Sequence, residues 1–403
     1  MTTTVGDVTA TIAGYDVIHA EHVTDGATDS SEFLDSSISF MTRSGCLVFN
    51  FSTLLVHDDR NEPISTATIS LFSNIKASIL IPLIVFIGLP TNMLSMLVFF
   101  KHGLKQRINL CLFSLSLVDL VYLAFVYVVY AEQMDFTSLT ASSLRLGPTL
   151  TFITNNHLLG FYGFGWASLF VSAIISIERC FCVIWPLRSS TLLKTRTTAI
   201  VIVVGVVLIT GGGFAVTEKY RVICLYDVTS GQERYQLRAS EYYFLHKQLV
   251  DVLSDVVYGL ILPMSTFAVV GLATAVTAVK LRKVAEWRQE SSSALSPREI
   301  ALTGMLIYLS IQFVVLNIPN VMLRVATLFV PELNISGRFA NLHYFVTGVV
   351  EVCAALNSSL NFLVYYFAGT KYRETVHGLC RKATTKKKAV YVDTAVSGVS
   401  TVS

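Results

Sequence analysis

The chain has 403 residues, 53% of them hydrophobic and only 14% charged, with a formal net charge of +3. Soluble domains carry about 25% charge, so this composition and a mean hydropathy of +0.60 exclude an ordinary soluble enzyme or binding module. The small net charge leaves no basic footprint for nucleic acid.

Residues 1–76 are rich in Thr, Ser, Asp and Gly, which suits a flexible extracellular segment. Its start, "MTTTVGDVTATIAG", has neither a basic beginning nor an apolar core, so no cleaved signal peptide is expected. Seven long apolar windows follow, at approximately Ala77–Phe100, Ile108–Tyr130, Phe152–Val183, Thr198–Val216, Leu249–Val279, Ile300–Val330 and His343–Phe367. A bilayer core takes about 20 apolar residues per helix, and these runs are too long for barrel strands. The expected fold class is an all-α membrane protein, with a seven-transmembrane helix bundle over 77–367. A short amphipathic eighth helix and a cytoplasmic tail are expected over 368–403. There Tyr372, Val376 and Cys380 recur at four-residue spacing among charges. Cys380, beside basic residues, is a palmitoylation candidate, with a free thiol as the alternative.

Basic residues crowd the linkers after spans one, three and five, among them Lys101, Lys105, Arg107, Arg188, Lys194, Arg196, Lys280, Arg282 and Lys283. The positive-inside rule puts these at the cytoplasm, with the N-terminus outside and the C-terminus inside a plasma-membrane protein. Glycosylation sequons at Asn50 and Asn334 both fall on the side assigned as exterior.

Charge inside a span is costly and is a functional candidate by default. Asp119 sits mid-way along span two. Span three supplies Ser168, and span seven supplies Glu351, Asn357, Ser358 and Asn361. An Asp among hydroxyl and amide oxygens reads as a hard-cation site suited to sodium, as a water network, or as one buried carboxyl satisfied by an Asn. At the end of span three, Glu178 and Arg179 stand side by side after a long uncharged run. Histidines 157, 246 and 343 lack the spacing of a metal motif and read as polar interface residues.

Six short motifs fall in order on the expected spans: "GLPTN" (Gly88–Asn92), "SLSLVDL" (Ser114–Leu120), "SIERC" (Ser176–Cys180), "ILP" (Ile261–Pro263), "FVVLNIP" (Phe313–Pro319) and "NSSLNFLVYY" (Asn357–Tyr366). Together they make residues 77 to about 380 resemble the rhodopsin-like, class A G-protein-coupled receptors. The nearest flavour is that of invertebrate orphan, neuropeptide-like and chemosensory receptors. The resemblance implies an extracellular ligand, a heterotrimeric G protein and an arrestin as partners, and no catalytic residues. It implies that Arg179 is latched by Glu178 and by Glu299 at the base of span six. Tyr365 would move on activation, and Asp119, Ser168, Asn357, Ser358 and Asn361 would form a sodium pocket. No other cofactor is implied.

The family pattern is incomplete. Phe362 replaces a proline, Asn317 a tryptophan, Gly271 a tyrosine and Thr154 a cysteine. The last change leaves Cys224 without its usual partner, and Cys46 is then the evident alternative for an extracellular disulfide. Phe161 stands where amine receptors carry an Asp, and Ala355 where opsins carry the retinal Lys. For the outer pocket we expect Tyr130, Phe161, Tyr162, Asp251, Asp255, Asn317, Arg324 and Glu351. Three acids against one Arg favour a cationic ligand such as a basic or amidated peptide, with aromatic walls adding cation–π capacity. In the alternative, Arg324 pairs with Glu351 or Asp255 and closes the pocket. A channel or transporter and a non-signalling scavenger receptor are the rival classes.

Overall fold

The computed structural model describes residues 8–12, 15–19, 47–49, 63–131, 161–185, 188–189, 194–227, 232–290, 297–333, 337–379 and 381. Seven helices are long and apolar enough to cross a membrane. We number them α1 (Thr66–His102), α2 (Arg107–Ala131), α3 (Phe161–Ile184), α4 (Thr195–Thr217), α5 (Lys247–Glu290), α6 (Pro297–Phe329) and α7 (Ala340–Ala368). A further helical segment, α8, covers 370–379 after Gly369.

The apolar residues of these helices divide between two environments. Leu83, Phe86, Met93 and Phe100 on α1 and Val203, Val207 and Leu208 on α4 stay exposed, as a lipid-facing surface would. The opposite faces close internal clusters, of which two are the larger. One gathers Ile81, Val85, Leu123, Val126 and Ala355. The other joins Phe99, Leu112, Val171, Leu306 and Tyr365 to Tyr372 and Val376 of α8. Where α1 meets α7, Gly88 lets the backbones approach, because an added Cβ would strike Ser359 and Leu123. The same crossing is tied by Asn92, whose side-chain amide donates to the Ser358 carbonyl at 2.8 Å.

Two departures from α geometry matter for the site. α1 contains a π-helical segment at Lys76–Leu80, and α5 contains one at Val252–Ile261. Each ends two residues before a proline, Pro82 and Pro263. Proline lacks the N–H that would bond the carbonyl four residues back, so the ladder is relaxed there.

α1 begins at Thr66, capped by Ser65, inside the stretch expected to be flexible. The long connection between α4 and α5 is also not merely a polar loop. It folds into an antiparallel hairpin of β4 (Tyr220–Asp227) and β5 (Gln232–Ala239). Val222, Ile223 and the tyrosines at 220 and 226 favour that state. With β1 (Val8–Ile12), β2 (Tyr15–His19) and β3 (Leu47–Phe49) it forms a five-stranded sheet ordered β1-β2-β5-β4-β3. The membrane domain is all-α as expected, and the strands lie outside the spans.

Candidate functional site

Polar groups collect at three levels of the bundle. Midway, Asp119 is fully buried on α2. Ser168 on α3 donates to its Oδ1 at 2.6 Å, and Asn361 on α7 donates to its Oδ2 at 2.8 Å. Ser358 of α7 lies close to the same carboxylate. Gln312 on α6 donates to Asn361 Oδ1 at 3.1 Å and to the Asn357 carbonyl at 3.3 Å. One carboxylate thereby joins four helices. A single negative charge with hydroxyl and amide oxygens fits a monovalent hard cation such as sodium, which Asp119, Ser168 and Ser358 would hold. Among the described residues no group of three His, Cys, Asp or Glu could hold another metal.

At the end of the bundle that carries the basic linkers, Glu178 is nearly enclosed, with its side chain 4% exposed. Arg179 Nε lies 2.5 Å from Glu178 Oε2, and Arg107 Nε from α2 lies 3.4 Å from Oε1. Arg107 also donates to the Ser189 carbonyl at 2.5 Å, which ties the linker after α3 to α2. Sequence reasoning missed Arg107, because a basic residue beside a span reads as a topology signal. The backbone of Glu299 falls in the first turn of α6, which begins at Pro297. Its side chain lies outside the described residues, as do Asn50, Asn334, Cys46, Cys380 and the side chains of Cys224, Phe161 and Tyr162.

Tyr365 of α7 is completely buried. Its ring meets Phe99 edge-on at 5.1 Å and Tyr372 at 5.5 Å. Tyr372 in turn exchanges a 2.8 Å hydrogen bond with Ser95 of α1. Burial pushes the Tyr372 phenol up to about 12, so it stays neutral at physiological pH. Phe362, in the position where the pattern has proline, packs against both Tyr366 and Tyr372. α7 runs on to Ala368, and aromatic contact with α8 occupies the place of a proline kink.

At the sheet end, the structure changes the charge count. Glu351 of α7 receives Lys76 Nζ and the Tyr130 hydroxyl, each at 2.6 Å, and Lys76 also lies over the Tyr130 ring. Asp251 receives Lys219 at 3.0 Å and the Tyr243 hydroxyl at 3.3 Å, with Lys219 over the Tyr243 ring. Each acid is thus neutralised by a lysine and steadied by a tyrosine. Asp255 is exposed on the π segment of α5 and accepts from Ser254 at 2.8 Å. Asn317 bonds within α6, to the Phe313 carbonyl at 2.9 Å. The acid excess that favoured a cationic ligand is therefore cancelled for two of its three members. Of the two alternative pairings of Arg324, the one with Glu351 does not form, because Lys76 holds that carboxylate. Both lysines lay outside the apolar windows, so their reach into the bundle was not foreseen.

Seven membrane-capable helices closed around buried polar links define a multi-pass membrane bundle. Residues 79–383 match the model of the family described as "Serpentine type 7TM GPCR chemoreceptor Srw", and the chain belongs to that family. The match begins in α1, passes through all later spans and takes in α8. It is a family of G-protein-coupled receptors and not of enzymes. No individual curated protein matches the chain.

Proposed function

We propose that this chain is a plasma-membrane chemoreceptor, with its N-terminus outside. Binding of an extracellular chemical cue, a small molecule or a peptide, moves α6 and activates a heterotrimeric G protein. The observation that carries this reading is the enclosed Arg179–Glu178 pair at the end of α3. A charge-assisted guanidinium–carboxylate contact in a poorly solvated place is strong and directional. It holds Arg179 against its own helix, while the first turn of α6 carries Glu299 as the second acid of the latch. Outward movement of α6 removes that second acid, and Arg179 then meets the G protein. This gives two discrete states for a ligand to bias.

Sodium at Asp119 would favour the state in which α2, α3 and α7 are drawn together. Phosphate on the tail hydroxyls, Thr384 and Ser397 among them, would recruit an arrestin through added negative charge. The motif sequence supports a rhodopsin-like activation route, whereas the family assignment reaches only the chemoreceptor level.

Basal nucleotide exchange on a panel of G proteins, for wild type and Arg179→Ala at matched surface expression, tests the reading. We expect at least one G protein to be driven by wild type and about tenfold less by the variant. Equal exchange by the two proteins would remove Arg179 from the mechanism.

A further inference from the structure

At the sheet end, several buried polar atoms of α6 and α7 are left without partners among the described residues. Arg324 on α6 is largely enclosed, and its Nε has no hydrogen-bond partner among them. Glu351 and Asp251 are each held by a lysine. Asp255 is close enough to feel the guanidinium, yet it comes within 4 Å of no cation among the described residues and accepts from Ser254 instead. On α7, His343 is near enough to Arg324 to sense its charge. Its Nδ1, and Oγ1 of Thr347 four residues on, are also buried without partners. On α5, Gly259 brings bare backbone toward Arg324, where a Cβ would stand 3.6 Å from the guanidinium.

We propose that Arg324, with His343 and Thr347, forms a carboxylate-binding subsite between α5, α6 and α7, so that the ligand carries an anionic organic acid. An arginine offers five N–H donors in a fixed fork that fits a carboxylate with two parallel bonds. Enclosing it without an anion is costly, and a ligand carboxylate supplies what the protein withholds. Thr347 would steady the same group through its hydroxyl, and His343 through Nδ1 in the tautomer that carries the ring proton there. The subsite's chemistry is opposite in sign to that expected from counting acids along the chain. The proposal deepens the receptor reading and rests on it for the pocket facing outward.

The test is the melting temperature of the full-length receptor in lipid nanodiscs at constant ionic strength. The probes are the straight-chain carboxylates from acetate to octanoate, and the amines of equal length as opposite-charge partners. A second arm compares N-acetyl-diphenylalanine acid with its amide, to separate a free acid from a peptide C-terminus as the source of the carboxylate. We expect saturating carboxylates, or the peptide acid, to raise the wild-type melting temperature by about 2 °C or more. The amines and the amide should not, and Arg324→Gln should abolish the shift. Ligand-free Arg324→Met should melt no lower than wild type, since an apolar side chain replaces an unpaired charge. The proposal is overturned if amines stabilise and acids do not, if no acid shifts the wild type, if the shift survives Arg324→Gln, or if Arg324→Met is markedly less stable. Because the readout is binding, failure of G-protein coupling would leave this result standing, and the reverse.

Discussion

Lys76 Nζ lies 2.6 Å from Glu351 Oε2, so a lysine at the outer part of α1 neutralises the acid of α7. Both side chains are largely enclosed, at 9% and 18% exposure. Removing one partner of such a pair strands the other charge. Glu351→Gln should lower stability by about 3 kcal/mol, seen as a fall of several degrees in melting temperature. Lys76→Met combined with Glu351→Gln should recover much of the loss. A double variant as unstable as the sum of the two singles would show that the pair is not coupled.

Asp119 predicts a response to sodium. Replacing choline chloride with sodium chloride at fixed ionic strength should raise the wild-type melting temperature and lower basal exchange. Asp119→Asn keeps the side-chain shape and one acceptor oxygen but loses the charge, so both responses should disappear. Equal sodium shifts in wild type and variant would place the ion elsewhere.

Glu178 faces two guanidiniums, which separates its roles. Glu178→Gln weakens the hold on Arg179 and should raise basal exchange several-fold. Arg107→Ala leaves that hold in place but frees the linker at Ser189. It should reduce thermal stability while keeping basal exchange within about twofold. Stability here can be read as melting temperature, and exchange on the G protein that wild type drives. If Arg107→Ala activates the receptor as strongly as Glu178→Gln, then Arg107 belongs to the latch itself.

Gly163 of α3 sits against α4, where an added Cβ would meet the Thr210 Cα at 2.9 Å. Backbone cannot give way as a flexible side chain does, so Gly163→Ala should force the helices apart and lower both melting temperature and surface expression. Gly211 on α4 has nothing within 4 Å of the same position. Gly211→Ala should be neutral or slightly stabilising, by up to about 1 kcal/mol from helix propensity. Similar effects at the two sites would contradict the close α3–α4 contact.

The register of the sheet bears on the disulfide. Leu47 of β3 pairs with Leu225 of β4 in parallel, and in the chain Cys46 and Cys224 each come one residue earlier. We expect a Cys46–Cys224 bridge, detected by peptide mapping of the non-reduced receptor. Finding both thiols free would remove it.

The bundle was legible because lipid demands long apolar helices, and the seven runs show this directly. The residues around Asp119 were legible for a related reason, since polar side chains are rare in such runs. Lys76 was not, because it stands one residue before an apolar window and reads as an anchor whose head group reaches for water. The π segments turn on prolines that were visible at positions 82 and 263, but their effect on the backbone was not drawn from them. The β4–β5 hairpin was hidden by its charges: Arg221, Glu233, Arg234 and Arg238 make the segment read as a polar loop. His343 and Arg324 lie far apart in sequence, and only the packing of α6 against α7 brings them together.

The proposed latch holds Arg179 between Glu178 and the base of α6. The most direct measurement is ligand-independent G-protein activation in cells, comparing wild type, Glu299→Ala, and Glu299→Ala with Arg179→Ala, at matched surface expression. We predict raised basal activity in Glu299→Ala that is lost in the double variant. Basal activity unchanged by Glu299→Ala, or raised and then retained without Arg179, would contradict the latch.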